Sequence, residues 1–225
     1  ILTLGGDGTV RVVSKGAGKT PLIPISTGTN NVIPAFVEGT IAGMAAGIFS
    51  MMPLNQRQEM VERQKKIDIY VNGDLADIAL VDAAVIDNQY IGSRAVWKPE
   101  SLLQIAVTQA SPDNIGFTSI IGRYRTIGND DPFGGSVVIK EDGKCYNVQA
   151  AIGPGLIYEV CVDEYKQLFA GKPVAVVKKR PCVLALDGER QIVLKQKDTA
   201  EFVLNLEGPY FVSISRVLES TQPEF

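Results

Sequence analysis

The periodicity of this sequence changes once, near residue 66, and that change limits the fold more than any other feature. Before it, Ile1–Leu4 reads as a strand, Asp7–Lys15 as a short helix, Leu22–Ser26 as a second strand and Val32–Met52 as a long helix. A β-α-β-α order argues for a parallel sheet covered by helices. Beyond it, short runs with period-2 alternation are joined by Asn72-Gly73, Asp142-Gly143 and Asp187-Gly188. Such pairs favour type I′ turns, so these runs read as antiparallel hairpins. The expected architecture is therefore α/β plus all-β. Residues 1–66 form the C-terminal part of a partial Rossmann-like nucleotide domain, and residues 67–225 form an antiparallel β-sandwich for substrate binding and oligomerisation. Because Ile1–Leu4 already reads as a buried strand, the fold is expected to begin before Ile1. In the second region Ala76–Ile86 reads as one continuous strand and Phe211–Ser215 as the last one.

Composition removes several chemistries. The chain has 225 residues and no histidine. Ser-His-Asp and Cys-His nucleophiles, imidazole acid–base catalysis and most catalytic zinc sites are excluded at once. Charges of 22 Lys+Arg against 25 Asp+Glu give a formal net of −3, which argues against a nucleic-acid partner. Cys145, Cys161 and Cys182 are odd in number and too far apart for a CxxC pair. They read as buried small hydrophobes in a reducing cytoplasm. The apolar stretch Val32–Met52 is long enough to span a bilayer and carries Gly39, Gly43 and Gly47 at four-residue spacing. Glu38, Pro34 and the missing basic flank favour a buried helix whose glycine stripe lies close against a sheet, with no membrane span.

Two loops carry the chemistry. Gly5-Gly6-Asp7-Gly8-Thr9 follows the first strand and opens a helix. Glycines there present several backbone N–H groups to one anion, and the helix N-terminus adds partial positive charge. An aspartate inside a purely phosphate-binding loop would add like charge. It makes sense where a hydroxyl must be oriented and deprotonated. The second strand runs into Thr27-Gly28-Thr29-Asn30-Asn31, with Asn31 placed to cap the following helix. Consecutive β-to-α loops meet at the carboxyl edge of a parallel sheet, where open α/β folds bind ligands. Gly16-Ala17-Gly18-Lys19-Thr20 ends like a Walker A loop, but Val13 stands where its first glycine is required.

Gly5–Thr9 resembles the nucleotide loop shared by NAD kinases, diacylglycerol kinases and sphingosine kinases. Pro24–Asn31 is similar to the second loop of the lipid kinases. Ile1–Pro34 together with Ala79–Asp87 most closely resembles the acetoin catabolism protein X branch of the NAD kinase superfamily. The resemblance implies ATP or another nucleotide, with Mg²⁺, held by Gly5, Gly6, Gly8 and Thr9, with Thr27, Gly28, Thr29, Asn30 and Asn31 lining the same cleft. Asp7 would act on the acceptor hydroxyl. Where NAD kinases carry Asn-Glu this chain has Val81-Asp82, and their Thr-Pro-Thr-Gly-Ser-Thr becomes Ser111-Pro112-Asp113-Asn114-Ile115-Gly116. Asp82, Asp113 and Asn114 are then the polar groups left for a hydroxylated small-molecule substrate, a dinucleotide among the candidates. Asp187 and Glu189 stand in an Asp-Gly-Glu that is a hairpin turn, the acidic group of a lipid-kinase-like site, or both, since a turn can do both. The expected function is ATP-dependent phosphotransfer to a hydroxylated small molecule linked to acetoin catabolism. The alternatives are a catalytically degenerate, nucleotide-binding regulatory protein and a lipid kinase-like enzyme. The superfamily resemblance also implies a homo-oligomer.

Overall fold

The computed structural model describes residues 1–28, 30–87, 101–140, 143–177 and 181–223. The chain divides into two compact units, Ile1–Gln64 with Glu207–Phe225, and Lys65–Leu206. The fold class read from the sequence, α/β followed by an antiparallel sandwich, stands. The segment from Glu207 onward belongs to the first unit, where the sequence reading had placed it in the second.

In the first unit, β1 (Leu2–Gly5) and β2 (Ile23–Ser26) form a parallel pair, connected by α1 (Asp7–Ala17). The long apolar stretch is not one helix. Residues 32–38 are irregular, and α2 covers only Gly39–Met51. Ser26 N–H donates to Ala35 O, and the Val32 and Ile33 amides are held by the Asp7 carboxylate. The backbone is thus diverted from helical pairing, and Asn31 caps no helix. Glu38 caps α2 instead, accepting from the Thr40 and Ile41 amides at 2.7 and 3.2 Å. The Thr40 hydroxyl, and then its amide, hold the Glu38 carboxyl below its ordinary range. Ala42 and Ala45 are the residues α2 buries. A Cβ on Gly39, Gly43 or Gly47 would meet nothing within 4 Å, so the glycine stripe does not pack against a sheet. Among the described residues no helix is long and apolar enough to cross a membrane.

The polar run after α2 forms α3 (Leu54–Arg57), a short 3₁₀ turn and β3 (Val61–Arg63). The returning segment supplies β15 (Tyr210–Val212) and α5 (Ile214–Glu219). Phe211–Ser215 is therefore a short strand that passes at Ser213 into a helix. β15 pairs with β3, and Phe211 bridges Leu22 in parallel. Val212 and Val217 complete a core with Ile23, Ile25, Ala42 and Ala45.

The second unit carries two antiparallel sheets. The smaller is built from β4 (Lys66–Val71), β5 (Asp74–Ala79), β11 (Pro173–Ala175) and β14 (Ala200–Asn205), in the order β11-β14-β4-β5. The larger has β6 (Asp82–Ile86), β7 (Leu102–Val107), β8 (Phe133–Lys140), β9 (Tyr146–Gly153), β10 (Leu156–Phe169), β12 (Cys182–Leu186) and β13 (Glu189–Leu194). Their order is β13-β12-β6-β7-β8-β10-β9. Ile67, Ile69, Phe202 and Leu204 of one sheet pack against Ala83, Ala106, Leu184 and Leu168 of the other. The opposite face of the larger sheet is covered by Ile120 and Ile121 of α4 (Thr118–Tyr124). The run read as one strand over Ala76–Ile86 is thus β5 and β6, members of different sheets.

Asn72 and Gly73 have φ of 54° and 90°, and Asp187 and Gly188 have 49° and 79°, the left-handed pairs that a type I′ turn requires. Gly143 also has positive φ, while Asp142 lies outside the described residues. Cys145 and Cys161 form a disulfide across the start of β9 and the middle of β10, a correction to their reading as thiols; Cys182 is a buried thiol.

Lys65 opens this unit with a buried ammonium that donates to the carbonyls of Gly128, Asp131 and Phe133 at 2.6, 3.1 and 2.9 Å. Burial lowers its pKa to about 8, against the opposing pull of Asp131 and Asp130. A base depressed in the folded state leaves the unfolded chain holding more protons between pH 8 and its ordinary value, so stability rises with pH there. Lys65→Met is expected to cost about 2 kcal/mol at neutral pH, since three carbonyls lose a charged donor. It should also flatten the rise above pH 8; both are read from denaturant midpoints at stepped pH.

Candidate active site

The first glycine loop and its neighbour lie side by side in the first unit. Gly5 ends β1, Gly6 precedes α1, and Asp7, Gly8 and Thr9 form the first turn of that helix. The N-cap residue of α1 is Gly6, which has no side chain with which to cap the helix. That is the condition under which a helix N-terminus can receive an anion. Thr27 and Gly28 follow β2, and Thr27 N–H reaches Gly5 O at 3.4 Å. Thr29 lies outside the described residues, and Asn30 is exposed.

Close approach explains two of the glycines. A Cβ on Gly5 would stand 2.5 Å from Thr9 Oγ1, and one on Gly6 would stand 2.7 Å from Asn31 Oδ1. Asn31 therefore sits against the first loop. Its Nδ2 donates to Ser26 Oγ at 2.8 Å, and that hydroxyl donates to Gly28 O at 2.9 Å. Ser26 was not singled out in the sequence, where it reads only as the last residue of a strand.

Asp7 ties the two loops together. Its Oδ2 accepts from Val32 N–H at 3.0 Å and its Oδ1 from Ile33 N–H at 2.9 Å, and the residue is 9% exposed. Burial raises the carboxyl above its ordinary range, partly opposed by these two amides. Arg11, also missed in the sequence, is 1% exposed on α1, one turn after Asp7. A charged residue four positions from an acid, on a helix face that also carries Val10, was the available signal.

The remaining candidates belong to the second unit. Asp187 Oδ1 accepts from the amides of Leu80, Val81 and Asp82 at 3.1, 2.8 and 3.2 Å, with Oδ2 also 3.0 Å from Leu80 N. Its carboxylate thus organises the crossing from β5 to β6, while Glu189 at the start of β13 is exposed. Asp82 is buried at the start of β6. Asp113 and Asn114 lie in the β7–α4 loop, where the Ser111 hydroxyl donates to Asp113 and the Asn114 amide to Ser111 O. Gly122 holds that loop close, since a Cβ there would be 2.1 Å from Ser111 O. Among the described residues no three His, Cys, Asp or Glu gather into a metal site.

Residues 65–207 match the family described as the acetoin catabolism protein X C-terminal domain, which is more than half of the sequence and coincides with the second unit. The chain belongs to the acetoin catabolism protein X family. A curated relative, acetoin catabolism protein X of Cupriavidus necator, is 35% identical over 210 residues, 91% of this chain. The chain spans 58% of that relative's length. Two solved structures are also similar. The yeast NADH kinase complexed with NADH has a TM-score of 0.49 at 14% identity, covering 100% of this chain and 67% of its own. An NAD kinase from Archaeoglobus fulgidus in complex with ATP has a TM-score of 0.49 at 13% identity, covering 98% and 80%.

Asp7→Asn is expected to lower the stability of the first unit by about 1–2 kcal/mol, because an amide can accept from only one of the two N–H groups. Gly6→Ala should push Asn31 off the first loop. In both variants hydrogen exchange at Val32 and Ile33 is the local readout, and unchanged protection would contradict the clamp.

Proposed function

We propose that this member of the acetoin catabolism protein X family is an ATP-dependent phosphotransferase acting on a hydroxylated small molecule. The observation that carries this reading is the pairing of two glycine-rich β-to-α loops, with an uncapped helix N-terminus and one buried carboxylate between them. The glycines at positions 5 and 6 let Thr9 and Asn31 pack against the loop backbone, and consecutive backbone amides in such a loop suit a phosphate group. Gly5, Gly6, Gly8 and Thr9 would hold the nucleotide phosphates, and Thr27, Gly28, Thr29, Asn30 and Asn31 the neighbouring wall. Mg²⁺ is carried by the nucleotide in this reading and neutralises phosphate charge when bound.

Asp7 is assigned the acceptor hydroxyl. Phosphoryl transfer depends on positioning and charge neutralisation more than on a strong base, which suits a chain with no histidine. A carboxylate raised by burial is a better proton acceptor than one in water. Asp82, Asp113 and Asn114 are proposed for the substrate side, and a homo-oligomer is proposed as the assembly.

The second reading, a nucleotide-binding regulatory protein, rests on the same carboxylate. Both oxygens of Asp7 already accept backbone amides. A group so engaged can be a structural clamp, leaving nucleotide binding without transfer. The lipid-kinase reading rests on Thr27–Asn31 and on Asp187–Glu189, of which the Asp187 carboxylate accepts from three backbone amides.

Labelled ATP offered with a panel of hydroxylated acceptors, NAD included, separates the two. Phosphotransfer predicts a labelled acceptor, at least 100-fold less of it in Asp7→Asn, and an acid limb of the rate profile above the ordinary carboxylate range. ATP binding with no labelled acceptor, and equal binding by Asp7→Asn, would establish the regulatory reading.

A further inference from the structure

A second concavity in the first unit lies at the other end of the parallel strand pair. The glycine loops follow the carboxyl ends of β1 and β2, at Gly5 and Ser26, whereas this cavity is lined by Pro21, ahead of β2. Its volume is about 500 Å³, within the range of small-molecule sites. The walls are contributed by Lys19, Phe49, Arg57, Val61, Arg63 and Tyr210, among others, and among the described residues no acidic one lines it.

The charges and rings are arranged in pairs. The Arg57 guanidinium lies 5.7 Å from the Phe49 ring centroid, and that of Arg63 lies 5.1 Å from the Tyr210 ring. Arg57 is held in place by the end of α2, its Nε donating to Met52 O at 2.9 Å and its Nη2 to Ser50 O at 2.6 Å. Arg63 stands 3.6 Å from Glu207, but the two side chains are 41% and 74% exposed. An ion pair so open to water competes weakly with an anionic ligand. Lys19 adds a third cation on an exposed connection. Flat guanidinium and aromatic surfaces beside three positive charges select a ligand that is itself flat and negative.

We infer that this cavity binds a heteroaromatic anion of mononucleotide size, at a site separate from the glycine loops. The ring system lies against the aromatic walls and the anionic group answers Lys19 and Arg63. This site does not depend on the phosphotransfer reading, since it shares no residue with the loops.

The test uses AMP and its photoreactive 8-azido derivative on the purified protein, with Lys19→Gln/Arg63→Gln as the paired variant. Both substituted side chains are on the surface, and a thermal melt checks that the variant folds. Irradiation should label a peptide within residues 49–63 or 207–216, and excess AMP should protect it. The variant should lose at least tenfold in labelling, adenosine should bind at least tenfold more weakly than AMP, and binding should weaken as salt rises. Label confined to residues 5–9 or 27–31, label in the cavity unaffected by the double variant, or no label at millimolar AMP would each overturn the proposal. The first of these outcomes leaves the glycine-loop reading standing. Label in the cavity with none on the loops would count against that reading alone.

Discussion

Each unit of this protein hangs on one buried carboxylate that gathers backbone amides from a distant part of the chain. Asp187 gathers Leu80, Val81 and Asp82, the point at which the chain leaves the smaller sheet and enters the larger. Strand ladders cannot satisfy those amides there, because the backbone is passing between sheets, and buried amides without acceptors are costly. Asp7 does the same for Val32 and Ile33. In one unit the result is a sandwich with a sharp crossing. In the other it is a pair of loops fixed side by side.

That shared device also separates structure from chemistry at the two acidic candidates. Asp187 lies in a turn whose left-handed residues are explained by the hairpin, and its carboxylate holds the amides of the crossing. Asp7 differs in its setting. It opens an uncapped helix between two loops crowded by glycine, and no turn requires an acid at that place. The same two hydrogen bonds hold it ready in one reading and occupied in the other.

The elements that could be read from sequence are those whose causes are local. Asn72-Gly73 and Asp187-Gly188 make hairpins through their own conformational preferences, and Gly5–Thr9 follows its strand directly. The failures have remote causes. Val32–Met52 looked continuous because every residue up to Met52 except Glu38 was compatible with an apolar helix. Its first turns were removed by Asp7, 25 residues away. Ala76–Ile86 looked continuous because both sheets want apolar residues, and the break is set by a carboxylate more than a hundred positions later. The Cys145–Cys161 bond joins neighbouring strands whose register no spacing rule supplies. In the candidate site, the glycines and Asp7 were legible, Ser26 acquires meaning only once the loops are adjacent, and Arg11 is marked out by its burial.

The return of the chain to the first unit has a consequence for biogenesis. Residues 65–206 form an uninterrupted unit, so a ribosome delivers the whole sandwich before Glu207 appears. The first unit, although begun earlier, lacks Val212 and Val217 from its core until that point. The glycine loops therefore sit on a scaffold completed late in synthesis, and a nascent chain carries them on an open hydrophobic face until β15 and α5 emerge.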